Sequence, residues 1–331
     1  MSMADGDFRM FEELERRLKT LLPEEYRDRY DAVQPVSMGT AGVRYGPDGK
    51  VAWDQMWGSF CDLALAGGPP HKGTLLEPAS PGEIQADPAA YAAVVAEVCR
   101  GIMMVTDLEA ARSPDPGWVR LQCPTRGMAA WLLRTIVMEN IAVRADDAVL
   151  ELPAGPSYRL HKEIKNVITV IAKTAHYWVG HMSVMDRQTI VDQIDGMTEE
   201  SPLVAPAYGA DQADVPVHEA LGARLADAIG DKTGLARSPH RHRDWLGLEC
   251  GTVRTAVWMM RMTAAANVLS RREGTVLFVP INPTTDPDGE IVSSSIVLIH
   301  RLAMLRGIGP TNRGSARDQP PACSFARLPA T

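Results

Sequence analysis

Residues 118–153, WVRLQCPTRGMAAWLLRTIVMENIAVRADDAVLELP, lie without a gap over residues 245–280, WLGLECGTVRTAVWMMRMTAAANVLSRREGTVLFVP, at a constant offset of 127 (250 − 123 = 127). Twelve of the 36 positions are identical, among them Trp118/Trp245, Cys123/Cys250, Thr125/Thr252, Trp131/Trp258, Arg134/Arg261, Asn140/Asn267, Arg144/Arg271 and Pro153/Pro280. Ungapped coincidence at residues as rare as Trp and Cys is the signature of an internal duplication, which decides the architecture before any single residue is read.

Each segment reads as a short strand ending at its cysteine, a helix over about 125–140 or 252–267, an Asn that closes it, and a hairpin. Because Glu163-Ile164 matches Glu290-Ile291 at the same offset, a second helix is expected over 163–182 and 290–306. Gln85-Ala86-Asp87 matches Gln212-Ala213-Asp214, which carries the match back to a preceding helix. The unit is then helix, strand, helix, hairpin, helix. Two such units, each a three-stranded layer covered by helices, bury their apolar faces by packing about a pseudo-twofold axis. The expectation is an internally duplicated α+β fold, with a ligand cleft between its halves.

Ahead of the repeats, residues 7–22 place Phe8, Phe11, Leu14, Leu18, Leu21 and Leu22 at helical spacing. This amphipathic helix packs on the body, with a homodimer contact as the alternative. A hairpin is expected over 42–53 around Gly46-Pro47-Asp48-Gly49, and a buried helix over 53–66. Residues 67–73, GGPPHKG, cannot continue a helix or a central strand, so His71 and Lys72 sit on a shaped loop. Asp87 caps a helix over 87–106, and residues 111–114 form a loop into the first repeat. The organisation is therefore 1–85 for the N-terminal helix, hairpin and loop, 86–197 for the first repeat, 198–212 for a linking loop, 213–308 for the second repeat, and 309–331 for a disordered tail.

Composition narrows the function. Lys+Arg 34 against Asp+Glu 41 leaves a net charge of −7, so no overall basic field exists to hold nucleic acid. Five cysteines without a CxxC spacing argue against a disulfide framework and a structural zinc site, and fit a reducing cytoplasm. No apolar run approaches the roughly 18 residues that a membrane span needs. The chain lacks GxxxxGK[ST], a strand-GxGxxG-helix, GxSxG and HExxH, so the common nucleotide, dinucleotide, hydrolase and zinc-protease readings lose ground and the cofactor is left open.

A residue common to both segments is explained by the fold, whereas a polar residue present in one has no such explanation. In the second helix of the first repeat, Asn166, Thr169, Lys173 and His176 form a stripe at i, i+3, i+7, i+10, where the other segment has Ser293, Ile296, His300 and Ala303. The stripe reads as the lining of an anionic-ligand pocket, with Lys173 supplying charge and His176 an acid or base; a solvated face is the alternative. Lys165 and Tyr177 are secondary candidates. His176 and His181, five apart, fall about 140° apart around an α-helix and so do not chelate from one face. Arg126 and Arg254, near the starts of the two repeat helices, are candidate anion clamps. His240-Arg241-His242-Arg243 and DPDGE at 286–290 read as a basic loop and a turn rather than as metal sites.

Cys123 and Cys250 each stand where a strand meets a helix N-terminus, which favours a thiolate. Two such thiols across a pseudo-twofold cleft could remove and return a proton at one carbon; small buried cysteines are the alternative. In the string Cys250-Gly251-Thr252 the chain resembles the cofactor-independent amino-acid racemases and epimerases, which have two similar halves with one cysteine each. It departs from them in Pro124 and in the lack of a glycine-rich turn after either cysteine.

The expected function is a cytoplasmic enzyme acting on a small anionic metabolite between the repeats, its reaction type unresolved, with His71, Lys72, Lys173 and His176 lining the site. The alternatives are a two-thiol isomerase and a non-catalytic binding or assembly protein whose contacts include Trp53, Trp57, Met259 and Met260.

Overall fold

The computed structural model describes residues 5–28, 30, 42–56, 63–208 and 215–309. In chain order these form α1 (Asp5–Leu21), α2 (Glu24–Arg27), α3 (Pro81–Ala86), α4 (Pro88–Thr106), β1 (Ala110–Arg112), β2 (Trp118–Gln122), α5 (Arg126–Met138), β3 (Arg144–Asp146), β4 (Val149–Pro153), α6 (Lys165–His176), α7 (Val184–Glu200), α8 (Val215–Thr233), β5 (Ala236–Arg237), β6 (Trp245–Glu249), α9 (Val253–Ala265), β7 (Arg271–Glu273), β8 (Val276–Pro280) and α10 (Glu290–Leu305). The fold is mixed helix and sheet, with two antiparallel four-stranded sheets of order β1-β2-β4-β3 and β5-β6-β8-β7.

The matching segments adopt matching registers: Trp118 pairs with Pro153 and Trp245 with Pro280. Their common residues have mechanical roles. Thr125 and Thr252 cap α5 and α9, accepting from the amides of Met128 and Thr255 at 3.1 and 3.0 Å. Asn140 and Asn267 take left-handed φ values of 59° and 57°, a conformation that Asn tolerates better than most residues, just past the ends of those helices. The guanidinium groups of Arg144 and Arg271 lie 4.6 and 5.1 Å from the ring centroids of Trp118 and Trp245.

Several expectations are corrected. Each sheet has four strands rather than three, because residues 110–112 extend as β1 instead of looping, and 236–237 do the same as β5. The amide of Gln122 donates to Glu109 O at 3.0 Å and that of Ser113 to Trp118 O at 3.1 Å, closing a hairpin. Gly117 turns it at φ 89°, where a Cβ would stand 2.5 Å from Ala79 O. The hairpin expected over 42–53 is present but short: the Gly46 and Ala52 amides donate to Lys50 O and Arg44 O at 2.8 and 2.9 Å, on either side of the Tyr45–Val51 bridge. The helix expected over 53–66 has one 3₁₀ turn at each end, Trp53–Gln55 and Ala64–Ala66, the second ended by Gly67 at φ 94°. Residues 57–62 between them, with Trp57, lie outside the described residues. So do residues 209–214 of the linking segment and 310–331 of the tail. Residues 198–200 complete α7 rather than opening the linker, and Val204 bridges Val268 as Leu76 bridges Ile141.

Phe11, Leu14, Leu18 and Leu21 of α1 are buried, so most of the amphipathic stripe packs within this chain, on α7 and α9. Phe8, at 49% exposed, is the part left facing outward. Trp53, Met259 and Met260 are fully buried and belong to the core. Helix α4 packs on α6, where Gly101 lets Ile168 approach so closely that a Cβ would stand 2.1 Å from Ile168 Cδ1. Against expectation, α4 is long and apolar enough by length and composition to cross a membrane. Its Tyr91, Val94, Val98 and Ile102 are buried, however, and its Glu97 accepts from the indole of Trp53 at 2.8 Å.

Where a cleft is expected between the two sheets' halves, a hydrogen-bonded polar seam joins them. Arg134 donates to Asn267 Oδ1 at 2.6 Å, Asn140 donates to Arg272 O at 2.9 Å, and Arg271 donates to Asn140 Oδ1 at 3.2 Å. Glu273 accepts from Arg271 at 2.6 Å and from the Leu75 amide at 3.1 Å, and faces His242 Nε2 at 2.9 Å.

Candidate functional site

The 67–73 loop is anchored on the C-terminal end of α5, because that end presents acceptors. Glu139, just past α5 and fully buried, receives the Ala64 amide at 2.9 Å on Oε1 and the His71 amide at 3.2 Å on Oε2. Asn140 donates from its side chain to Lys72 O at 2.9 Å, and its own carbonyl accepts the Leu76 amide at 2.8 Å. Two of these contacts hold the loop itself, at His71 and Lys72, and the Ala64 and Leu76 amides hold its two flanks.

Helix α6 meets the same carboxylate from the other side. Lys173 Nζ lies 2.7 Å from Glu139 Oε1, with neither side chain exposed. The paired charges satisfy one another in a low-dielectric interior. Lys173 is therefore not a solvent-facing ligand clamp, as the sequence suggests, but the counter-ion of the residue that seats the loop. Lys72 reaches the N-terminal approach to α6, with Nζ 3.4 Å from Glu163 Oε1, a carboxylate that also receives Arg159 at 2.9 Å. The Arg159 hydrogen bonds outweigh burial and hold Glu163 down to about 2.

His71 is half-buried at this junction. Burial, followed by the ammonium of Lys173, pushes its pKa down to about 4 against the opposing pull of Glu139, and Lys165 adds to the fall. Its imidazole is thus neutral at pH 7. Burial also lowers Lys165. A neutral imidazole beside ammonium groups can hydrogen-bond a ligand that the cations hold. Asn166 and Thr169, half-buried on α6, lie in the same helix one turn or more before Lys173.

The other candidates are elsewhere. His176 is exposed at the end of α6, where its Nε2 lies 3.2 Å from His181 Nε2, with Tyr177, Tyr26 and Glu25 alongside. Arg126 is bound to Asp195 at 2.7 Å on the surface, and Arg254 is exposed on α9. Cys123 and Cys250 are 1% and 0% exposed, and burial pushes both thiols up to about 12, the reverse of the thiolate expected at a helix start. Their place under the sheets outweighs the helix dipole, and the two-thiol isomerase reading is withdrawn.

Glu139 and Glu163 are absent from the sequence-based candidates. Glu139 had a usable signal: it is a polar residue in one matching segment where the other has Ala266. Glu163, matched by Glu290, had none.

No known family model matches the chain, and no curated protein or solved structure is similar to it.

Proposed function

We propose that the protein is a cytoplasmic enzyme acting on a small anionic metabolite, bound where the 67–73 loop meets α6. The two halves, in this reading, are copies of one duplicated unit. The observation that carries the reading is the loop seated on the Glu139–Lys173 pair, which sets the His71 imidazole, neutral at pH 7, beside Lys165. Lys165 and Lys72 hold the anion, His71 hydrogen-bonds it as a neutral imidazole, and the Glu139–Lys173 pair fixes the loop.

The test is a thermal-shift screen of the purified protein against a pool of carboxylate and phosphate metabolites, repeated with His71→Ala and Lys165→Met. An anionic compound that raises the Tm of the wild type, with the shift lost in both variants, supports the assignment. The same shift in both variants, or none from the whole pool, overturns it.

A non-catalytic ligand-binding or assembly protein is the second reading. It is supported by Val179, Val184 and Met185, which stand 62%, 72% and 75% exposed around the join of α6 and α7.

A further inference from the structure

Helix α6 does not end as an α-helix. Residues Tyr177–His181 continue it as a π-turn, with His176 as the residue before it. A π-turn closes its hydrogen bonds five residues apart instead of four, so it carries side chains five apart onto one face. The α-helical period separates His176 and His181 by about 140°; the wider π-turn reduces that separation. Their rings meet edge-on, with centroids 5.0 Å apart, and the two Nε2 atoms are 3.2 Å apart.

That separation has a chemical meaning beyond a hydrogen bond. Two imidazole nitrogens bound to one tetrahedral ion at roughly 2.0–2.1 Å each stand about 3.3 Å apart. The ring behind each nitrogen matters as well. His181 Nδ1 lies 3.1 Å from Glu25 Oε2, which accepts its proton and leaves the lone pair on Nε2. A carboxylate in that position is what orients histidine ligands in metal sites. Glu25 is placed by α2, and the Tyr177 ring lies against His181 with centroids 4.7 Å apart. The Tyr177 hydroxyl is in turn 2.7 Å from that of Tyr26 in α2, tying the two elements together. Both histidines are solvent-accessible, so an ion can reach them.

We propose that His176 and His181 form a two-histidine site for a borderline divalent transition metal such as Zn²⁺, with Glu25 as the positioning carboxylate. Among the described residues no three His, Cys, Asp or Glu donors converge, so the protein supplies two ligands and water or an exogenous ligand supplies the rest. Imidazole ligands select Zn²⁺, Cu²⁺ or Ni²⁺ over Mg²⁺ and Ca²⁺. In the metal-free protein the same nitrogens share one hydrogen-bond proton. Binding moves the His176 proton to Nδ1 and turns both rings about their Cβ–Cγ bonds, torsions that are broad in histidine.

The test is calorimetric titration of the full chain with Zn²⁺, with Mg²⁺ as the comparison. The variants are His176→Ala, His181→Ala, the double variant, and His161→Ala as an exposed histidine outside the site. Circular dichroism of each metal-free variant checks the fold. The expected result is one equivalent of Zn²⁺ and no Mg²⁺, retained by H161A and lost or weakened at least tenfold by each site variant. Zn²⁺ binding that is absent from the wild type, or unchanged in the folded double variant, overturns the proposal. For Glu25→Gln the expected loss is about tenfold, at the low end for such partners; wild-type affinity in that variant removes Glu25 from the site.

Discussion

Lys173 and Glu139 form an ion pair at 2.7 Å from which solvent is wholly excluded, and the same carboxylate receives the backbone amides of Ala64 and His71. Removing one partner strands a buried charge, which costs about 3–5 kcal/mol, whereas removing both with apolar groups of similar size costs much less. Lys173→Met and Glu139→Leu are each expected to lower unfolding free energy in urea by about 3 kcal/mol or more. The double variant should be more stable than the sum of the two losses implies. Glu139→Leu should be the worse single change, since it also strands two amides. Strict additivity in the double-mutant cycle counts against the pair.

At the seam between the halves, Glu273 and His242 set opposite limits on pH stability. Burial raises Glu273, but His242 and Arg271 outweigh it and hold the carboxyl down to about 2. Its contribution is present above the ordinary carboxylate pKa of about 4.3 and is lost as pH falls from there toward 2. Burial lowers His242, but its hydrogen bonds to Glu273 and Glu77 outweigh that and leave its pKa raised. That contribution is full below an unfolded pKa of about 6.5 and is lost as pH rises through the folded value. Urea titrations from pH 3 to 9 should therefore show Glu273→Gln flattening the acid limb and His242→Gln the alkaline limb. An unchanged profile in both variants would mean the seam does not govern the pH response.

The buried thiols give a chemical test of the withdrawn isomerase reading. With pKa values pushed up to about 12, Cys123 and Cys250 are protonated at pH 8, and they are also sealed from reagent. Iodoacetamide on the folded protein, followed by peptide mass spectrometry, should leave both unmodified until denaturant is added. Rapid labelling of either in the folded state would restore a reactive cysteine.

Asn140 and Asn267 offer a backbone test. Each sits at positive φ and also donates its side-chain amide, to Lys72 O and Arg272 O from Asn140 and to Ser201 O from Asn267. Replacement by Ala adds strain and removes these bonds, an expected loss of about 2 kcal/mol or more. Replacement by Gly relieves the strain alone, so it should recover only part of the stability. Full recovery with Gly would assign the residues to conformation and not to bonding.

Much of the scaffold was legible in the residues. The Thr caps and the left-handed turns of the Asn residues recur at the 127-residue offset, and each is set by the residues next to it. The fourth strand of each sheet was missed because β1 and β5 are too short to show alternation, and turn residues at 113–117 masked the first. At the candidate site, His71, Lys72 and Lys173 were found as residue types, but Lys173 was given the wrong role. A lysine on a helical stripe looks the same in sequence whether solvent or a buried carboxylate faces it.

What the sequence determined by itself was the repeat helices, their Thr caps and Asn ends and the long strands of each sheet, since helical and strand periods, caps and turn formers act over a few residues. What only the tertiary structure decided was which charges meet. Glu139 and Lys173 are paired by the packing of α5 on α6, and Glu25 reaches His181 across 156 residues. The meeting of His176 and His181 depends on a helix that changes its hydrogen-bond step at Tyr177, where Tyr26 holds it from another element. Periodicity assumes one step throughout, and long-range contact is what changes it.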